Sequence, residues 1–207
     1  MNFYCIIYKP FNVLSQFSSQ DDKQTLKYFF DVPDDVYPVG RLDYDSEGLL
    51  ILTNDKKLNH ALLNPLHEHE REYWVQVDGS ISKEAIELLQ QGVSITVDGK
   101  KYQTKKCSVA VFENEPIVPE RNPPVRFRKN IPTSWIKIKL AEGKNRQVRK
   151  MTAAVGFPTL RLIRQSIENC SLEGLQPGEM RLFQQKEIYH LLQLNKQNNA
   201  GADKRRL

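Results

Sequence analysis

The chain has 207 residues, of which 40% are hydrophobic and 27% are charged, and its formal net charge at pH 7 is +5. This length suits one substantial core, and no apolar run approaches the roughly 20 residues that a membrane-spanning helix needs. The three cysteines, Cys5, Cys107 and Cys170, lie far apart and form no C-x-x-C metal pattern or disulfide framework. They indicate free thiols in a reducing, cytoplasmic compartment.

Hydrophobic periodicity in the first half of the chain predicts short strands and helices separated by turns. The predicted elements are a strand from Phe3 to Lys9, a helix-like piece over Thr25–Phe30, a buried strand over Leu49–Leu52, a helix over Leu58–Leu63 and a half-buried strand over Tyr73–Val77. Next, Ser82 is predicted to cap a helix over Lys83–Gln91 that stops at Gly92. The inner side of that helix is predicted to carry Ala85, Ile86, Leu88 and Leu89.

The second half begins with a predicted hairpin, in which Val93–Val97 and Tyr102–Phe112 flank the turn Asp98-Gly99. After a proline-rich connection over residues 116–132, the pattern predicts a strand over Trp135–Leu140 and a helix of about twelve residues after Glu142-Gly143. A strand over Leu160–Ile167 and a helix over Gln185–Leu192 complete the list. Strands outnumber helices and form hairpins, which favours an α+β fold with a mixed sheet. Residues 1–192 are predicted to form one domain, and the polar, basic residues 193–207 a disordered tail.

The charges are distributed unevenly along the chain. Residues 121–164 contain 12 Lys or Arg against one acid, Glu142, whereas residues 1–72 contain 7 basic and 12 acidic side chains. A block of about forty residues that is nearly free of acids produces a positive field that suits a polyanion such as RNA. The alternative is a solvated basic face without a partner.

The most informative motif is Gly40-Arg41-Leu42-Asp43, which precedes the buried strand. A carboxylate at the mouth of a strand is held rigidly while its tip stays accessible, as catalysis requires. The motif by itself is equally compatible with a turn that carries a surface ion pair.

Three segments, taken in order, resemble one family. They are Gly40-Arg41-Leu42-Asp43 with Gly48–Thr53, Arg71-Glu72-Tyr73-Trp74-Val75, and Glu142–Met151 with Val155-Gly156 and Leu160–Arg164. Together they resemble the RNA pseudouridine synthases of the small-subunit rRNA (RsuA-like) class. Ser46 stands where many members have Thr, and both residues offer a hydroxyl group.

Most members of that class carry an N-terminal S4-type RNA-binding domain, which is expected to be absent here because the first catalytic strand begins at Phe3. This absence and the Arg121–Trp135 stretch make the chain most similar to a group that acts on large-subunit (23S) rRNA. The resemblance implies the pseudouridine synthase fold, a mostly antiparallel central sheet built from two half-sheets with flanking helices and an active-site cleft.

The resemblance also implies the reaction, the isomerisation of a uridine to pseudouridine without a cofactor or a metal. Asp43 is the implied catalytic group, as nucleophile or base, and Arg149 the cation that clamps it. Tyr73 is implied to stack on the uracil, and Leu162 to close the other side of the pocket. Whether Asp43 attacks the sugar, attacks the base or promotes elimination stays open.

The predicted RNA contacts are basic residues near these motifs. Arg41 would contact phosphate or fill the gap left by a flipped uridine, and Arg146 and Lys150 would hold phosphates at a helix N-terminus. The remaining candidates are Arg121, Arg126, Arg128, Lys129, Lys144 and Arg164. The expected partner is large-subunit rRNA, with no membrane contact, and the protein is expected to be a monomer.

Several alternatives remain open at this stage. Asp45 and Glu47 compete with Asp43 for the role of catalytic acid, and His67-x-His69 hints at a metal site but has no evident third ligand. The same fold could serve as a non-catalytic rRNA-binding or assembly protein. A carboxylate-based nucleoside glycosidase is the other rival, although it would usually need a second placed carboxylate.

Overall fold

The computed structural model describes residues 2–19, 21–126 and 131–194. Within these residues the chain forms a nine-stranded main sheet and a separate two-stranded sheet. The main sheet contains β1 (Tyr4–Lys9), β2 (Tyr37–Pro38), β3 (Glu47–Thr53), β4 (Arg71–Asp78), β7 (Ser108–Val111), β8 (Thr133–Leu140), β9 (Thr159–Ile167), β10 (Cys170–Ser171) and β11 (Met180–Leu182). The small sheet pairs β5 (Ser94–Val97) with β6 (Lys100–Gln103).

Four α-helices flank the sheets: α1 (Lys56–Leu63), α2 (Lys83–Gln91), α3 (Gln147–Ala154) and α4 (Gln185–Leu191). Asp55 begins α1 by accepting hydrogen bonds from two backbone N–H groups, and Ser82 begins α2 in the same way through the N–H of Ala85. The longest described helix has nine residues, so no described helix could cross a membrane.

The main sheet runs in the order β11-β1-β3-β9-β4-β8-β7 and consists of two halves that meet between β3 and β9. Pairing is antiparallel within each half, whereas β3 and β9 are parallel through only two register positions, Glu47 with Ile163 and Gly48 with Arg164. The predicted α+β class with a mixed, mostly antiparallel sheet in two halves is confirmed.

Two hydrophobic clusters contain most of the helix-to-sheet packing. In the first, β1 and β3 pack against Leu58 of α1 and Ile188 of α4, and the cluster continues across the junction to Ile163 of β9. In the second, β4 and β8 pack against Leu89 of α2 and Met151 of α3. The first cluster therefore helps to join the two halves of the sheet.

Several sequence-based boundaries were wrong. The piece over Thr25–Phe30 contains only a short 3-10 turn over Leu26–Tyr28, and Leu88 of α2 is half exposed instead of buried. The hairpin partner Tyr102–Phe112 is two strands, because β6 ends at Gln103 and β7 joins β8 in the other sheet. The helix after Glu142-Gly143 has eight residues, because the preceding segment forms a loop that ends at Arg146.

Two residues of the predicted tail, Gln193 and Leu194, have structural partners. The Leu194 side chain is buried in the first core cluster, and the amide of Gln193 donates to the carboxylate of Glu168. Residues 195–207, the rest of the predicted tail, lie outside the described residues.

Candidate active site

Asp43 lies on the turn that leads into β3. Ser15 stabilises this turn through two hydrogen bonds to Leu42. Its hydroxyl donates to the carbonyl oxygen of Leu42 (2.8 Å) and accepts from the Leu42 N–H (3.0 Å). The N–H of Ser46 then closes the turn on the Asp43 carbonyl oxygen (3.0 Å). With both backbone groups of its neighbour fixed, Asp43 has a defined position, and its side chain remains 32% exposed.

The exposed side of Asp43 faces a cleft of about 820 Å³ between the two halves of the sheet. The Asp43 turn and the start of β3 come from the first half, and Tyr73 of β4 and Leu162 of β9 come from the second. The cleft is also lined by Arg41, Lys144, Arg146 and Arg164. The structure therefore brings most of the predicted site residues to one place, although Arg41 and Arg164 are 123 positions apart in the chain.

Tyr73 and Leu162 contribute the aromatic and apolar surface of the cleft. They lie on neighbouring antiparallel strands, where Val75 pairs with Leu162 and Tyr73 pairs with Arg164. Both are nearly buried, with 8% and 5% of their surface exposed. A planar base could therefore lie against the ring and the leucine without contact with bulk water.

The cation that approaches Asp43 is Arg146, whose Nη1 lies 3.8 Å from the Asp43 carboxylate. Arg146 also makes a bidentate pair with Asp45, with two nitrogen–oxygen distances of 2.8 Å. Arg149 was predicted to clamp Asp43, and this placement was wrong. Its Nη2 donates to the backbone carbonyl oxygen of Asp45 (2.5 Å) and its Nε lies 3.5 Å from the Asp45 carboxylate.

Asp45 thus links the turn that carries Asp43 to α3. Burial by itself would raise the pKa of Asp45, but the hydrogen bonds from Arg146 and the charges of Arg149 and Arg146 outweigh it and lower the pKa below its ordinary value. Arg146 has the left-handed backbone conformation (φ 52°, ψ 33°), which is uncommon for a side chain of this size. Such conformations persist where surrounding contacts impose them, and here the Asp45 carboxylate is one of those contacts.

Glu142, the one acid in the basic block, shapes the loop that carries Lys144 and Arg146. Its carboxylate accepts from the Tyr102 hydroxyl (2.5 Å), from the Lys105 N–H (2.8 Å) and from the Gln147 amide (2.5 Å). Gln147 in turn accepts from the Lys144 N–H (2.9 Å). The loop is therefore held by buried and half-buried partners while its cationic side chains face the cleft.

The other predicted RNA contacts fall in different places. Arg41, Lys144 and Arg126 are exposed, and the first two line the cleft. Lys150 donates to Asn145 next to the loop (3.3 Å). Arg128 and Lys129 lie outside the described residues.

Two predicted RNA contacts have structural partners instead of open surface. Arg121 lies over the ring of Phe11 (4.1 Å) and donates to three backbone carbonyl oxygens. Arg164 is 5% exposed, so it cannot reach a phosphate on the protein surface. Arg121 was predicted from the basic, aromatic-containing loop around it and Arg164 from the basic block, and neither signal reveals burial.

Of the two acids that compete with Asp43 for the catalytic role, Glu47 does not line the cleft. It is 2% exposed and its carboxylate accepts two hydrogen bonds from Arg161, both at 2.8 Å. His67 and His69 lie edge to face, and His69 accepts or donates a bond at 3.0 Å with Glu168. Among the described residues, no group of three His, Cys, Asp or Glu side chains could hold a metal ion.

Sequence reasoning missed Lys9, which is fully buried under the site. Its ammonium group donates to the carbonyl oxygens of Pro10 (2.8 Å) and Val13 (2.7 Å). Burial lowers the pKa of Lys9 to about 7, although the charges of Glu47, Asp45 and Asp43 act in the opposite direction. In the sequence, only its position before Pro10 at the end of the first strand distinguishes Lys9 from other lysines. That position did not predict burial, because a lysine at a strand end usually faces water.

Comparison with known proteins agrees with this geometry. A family model described as RNA pseudouridylate synthase matches residues 3–154. A ribosomal large subunit pseudouridine synthase E from Vibrio parahaemolyticus is 48% identical over 179 residues, which cover 86% of this chain and 73% of that protein. Another from Xanthomonas axonopodis pv. citri is 48% identical over 174 residues, 83% of this chain and 89% of that protein.

A solved crystal structure of a pseudouridylate synthase superposes with a TM-score of 0.74 at 27% identity, covering 92% of this chain and 74% of that one. The fold places the chain in a class of RNA-modifying enzymes. The chain belongs to the RNA pseudouridylate synthase family. The family predicted from the three motifs is confirmed, as is the particular similarity to large-subunit synthases.

Proposed function

We propose that this protein isomerises a uridine of large-subunit ribosomal RNA to pseudouridine, with Asp43 as the catalytic group. The observation that carries the proposal is the meeting of Asp43 from one half of the sheet with Tyr73 and Leu162 from the other, across one cleft. Its similarity to relatives named ribosomal large subunit pseudouridine synthase E supports the substrate.

The reaction breaks the bond between ribose C1′ and uracil N1, turns the uracil and joins C1′ to C5. The C5 proton leaves and N1 takes up a proton, so no oxidant, reductant or energy source is consumed. The site must therefore supply a reactive carboxylate and hold the detached base. Asp43 meets the first need, and the surface formed by Tyr73 and Leu162 meets the second, because stacking tolerates rotation in the plane of the ring.

Access to this site requires that the uridine leave its stack. Tyr73 and Leu162 are nearly buried at the base of the cleft, so a base within an RNA helix could not reach them. Arg41 and Lys144, exposed at the cleft, are placed to hold the RNA backbone around the flipped nucleotide. We further propose that the protein works as a cytoplasmic monomer without a cofactor.

The test measures tritium release from large-subunit rRNA labelled at uracil C5. We expect release with the wild type, none with Asp43→Asn, and unchanged RNA binding by that variant. Carbodiimide treatment followed by primer extension then maps the modified position.

Asp45→Asn is the matched control, because Asp45 lies in the same turn and is about as exposed as Asp43. It should still release tritium, at roughly a tenth of the wild-type rate, because only its support of Arg146 is lost. Loss of release with Asp45→Asn but not with Asp43→Asn would assign the catalysis to Asp45. RNA binding without any release by the wild type would indicate the non-catalytic assembly protein, and free uracil would indicate a glycosidase.

A further inference from the structure

Arg164 lies on β9 at the floor of the cleft, two residues after Leu162 and in register with Tyr73. Its Nε donates to the backbone carbonyl oxygen of Leu49 on β3 (2.8 Å). Within the described part of the chain, its Nη2 is buried and has no hydrogen-bond partner. The Nε of Arg164 therefore joins the two halves of the sheet, whereas its buried Nη2 has no acceptor among the described residues.

A buried, charged N–H group without an acceptor is unfavourable and uncommon in folded proteins. Arg161, three residues earlier on the same strand and equally buried at 5%, shows the usual arrangement. Its nitrogens donate to the Glu47 carboxylate and to the carbonyl oxygen of Pro119. The fold thus supplies acceptors to an arginine that is only structural, and it leaves Arg164 without one beside the cleft.

We propose that the spare N–H of Arg164 binds a carbonyl oxygen of the target uracil and holds the base while it is detached. The inference rests on the proposed function, since it assigns a contact within that same site. It gives Arg164 a role different from a surface contact with an RNA phosphate.

The chemistry of the detached base explains why such a donor is useful. When the C1′–N1 bond breaks, its electron pair stays with the uracil, and the negative charge is shared between N1, O2 and O4. A fixed cationic donor binds this anion more strongly than it binds the neutral uridine. Only such a difference between the ground state and the reacting state increases the rate.

The geometry of uracil lets one donor serve both ends of the reaction. A rotation of about 120° in the plane of the ring, the motion that stacking tolerates, brings C5 to the place of N1 and O2 to the place of O4. A donor placed at the O4 position therefore finds an oxygen there before and after the turn. Tyr73 and Leu162 leave the rotation free, and Arg164 favours the two orientations from which C1′ can be bonded.

The surroundings of Arg164 increase the positive potential at the floor of the cleft. Arg71, which also lines the cleft, donates to the backbone carbonyl oxygens of His69 (2.8 Å) and Leu62 (3.1 Å). Neither acceptor is a carboxylate, so these bonds do not neutralise its charge. Glu168 acts on Arg71 only through its charge, and Asp45 and Glu47 are paired with Arg146 and Arg161. An anionic base would thus meet two arginines, Arg71 and Arg164, that form no ion pair within the described residues.

The test uses a synthetic RNA that spans the mapped position and carries uridine, 2-thiouridine or 4-thiouridine at the target. Sulfur accepts hydrogen bonds poorly, so each thio substitution should slow the single-turnover rate of the wild type roughly tenfold. Arg164→Lys should lower the rate on the uridine RNA roughly 100-fold, since it removes the free N–H. In that variant the thio substitutions should have no further effect, and binding of the RNA should be unchanged.

Arg161→Lys is the matched control, because it tests the loss of a buried arginine from the same strand. It should lower the thermal midpoint and keep the full thio effect. Equal rates of the wild type on all three RNAs would overturn the inference by themselves, as would a full thio effect in Arg164→Lys. A wild type that is inactive on the uridine RNA would instead contradict the proposed function.

Discussion

At the scale of single residues, Gly48 lies where the two halves of the sheet come into backbone contact. Its φ is +115°, and a Cβ atom at this position would lie 2.4 Å from the carbonyl oxygen and 2.5 Å from the nitrogen of Arg164. Neither backbone atom can move without breaking the short parallel pairing of β3 with β9. Only glycine fits here, because it has neither the steric restriction on φ nor the Cβ atom.

We expect Gly48→Ala to lower the free energy of unfolding by about 3 kcal/mol or more, from backbone strain and a direct clash. Urea denaturation measures the effect. Gly99→Ala is the control: φ is also positive (+77°), but no atom lies within 4 Å of the added Cβ. It should cost only about 1–2 kcal/mol, the strain alone. Equal costs for the two variants would contradict the close contact at Gly48.

Lys9 gives a prediction about pH at the same scale. Its pKa is about 7 in the folded protein, below the ordinary lysine value of about 10.4 in the unfolded chain. Between these values the unfolded state binds more protons, so folding becomes more favourable as pH rises. Lys9→Met removes this dependence.

The wild type minus Lys9→Met difference in unfolding free energy should therefore rise with pH, by about 1.4 kcal/mol per unit at most, between pH 7 and pH 10. Below pH 6 the difference should be flat, because both states are then protonated. Urea denaturation over this pH range measures it. A difference that stays flat from pH 7 to pH 10 would show that Lys9 is charged throughout in the folded protein.

At the scale of elements, the Asp45 contacts join the turn that carries Asp43 to α3. The carboxylate holds Arg146 in a fixed position 3.8 Å from Asp43, and the backbone carbonyl of Asp45 holds Arg149. Because the pKa of Asp45 is lowered, its pairing contributes stability above the ordinary aspartate pKa, and this contribution is lost as pH falls through the lower folded value. The arrangement is intact at neutral pH.

Asp45→Asn should reduce the single-turnover rate roughly tenfold. The variant loses about one charge-assisted hydrogen bond from Arg146, so Arg146 is held less firmly beside Asp43. Stability should change by less than about 1 kcal/mol, because the pair is partly exposed to water. Glu70→Gln, which breaks the surface pair of Glu70 with Lys139, is the control and should leave the rate unchanged. A large loss of stability in Asp45→Asn would make the contact structural instead.

At the scale of the whole molecule, the protein is two half-sheets joined along a short line. Besides the two register positions of β3 and β9, the junction contains the buried pair of Glu47 with Arg161 and the bond from Arg164 to the Leu49 carbonyl oxygen. The cleft lies at this junction. The position of Asp43 relative to Tyr73 therefore depends on how firmly the halves are joined.

Glu47→Gln should lower the free energy of unfolding by about 3–5 kcal/mol, because it leaves the Arg161 charge buried without its partner. The double variant Glu47→Leu with Arg161→Met, which removes both charges, should recover most of that loss. Thermal and urea denaturation measure both. If the double variant is no more stable than Glu47→Gln, the cost arises from shape and not from the unpaired charge.

Local signals in the sequence predicted much of the secondary structure. Ser82 and Gly92 bound α2 as expected, since a hydroxyl cap and a glycine with positive φ act through immediate neighbours. The alternation in β8 was also read correctly, with Ile136, Ile138 and Leu140 buried. The break between β6 and β7 was missed although Lys105 and Lys106 interrupt the apolar pattern between them, because only the pairing of β7 with β8 shows that the two strands belong to different sheets.

The sequence by itself determined the family, the fold class and Asp43 as the candidate acid, because short motifs with fixed spacing carry this information. Only the tertiary structure decided which cation approaches Asp43, since Arg146 and Arg149 differ in their backbone conformation and not in their chemistry. Burial was equally invisible in the sequence: Lys9, Arg161 and Arg164 are charged residues enclosed by strands distant in the chain. The partners of Arg161 and Arg164 are set by the meeting of the two half-sheets, a contact that no local pattern encodes.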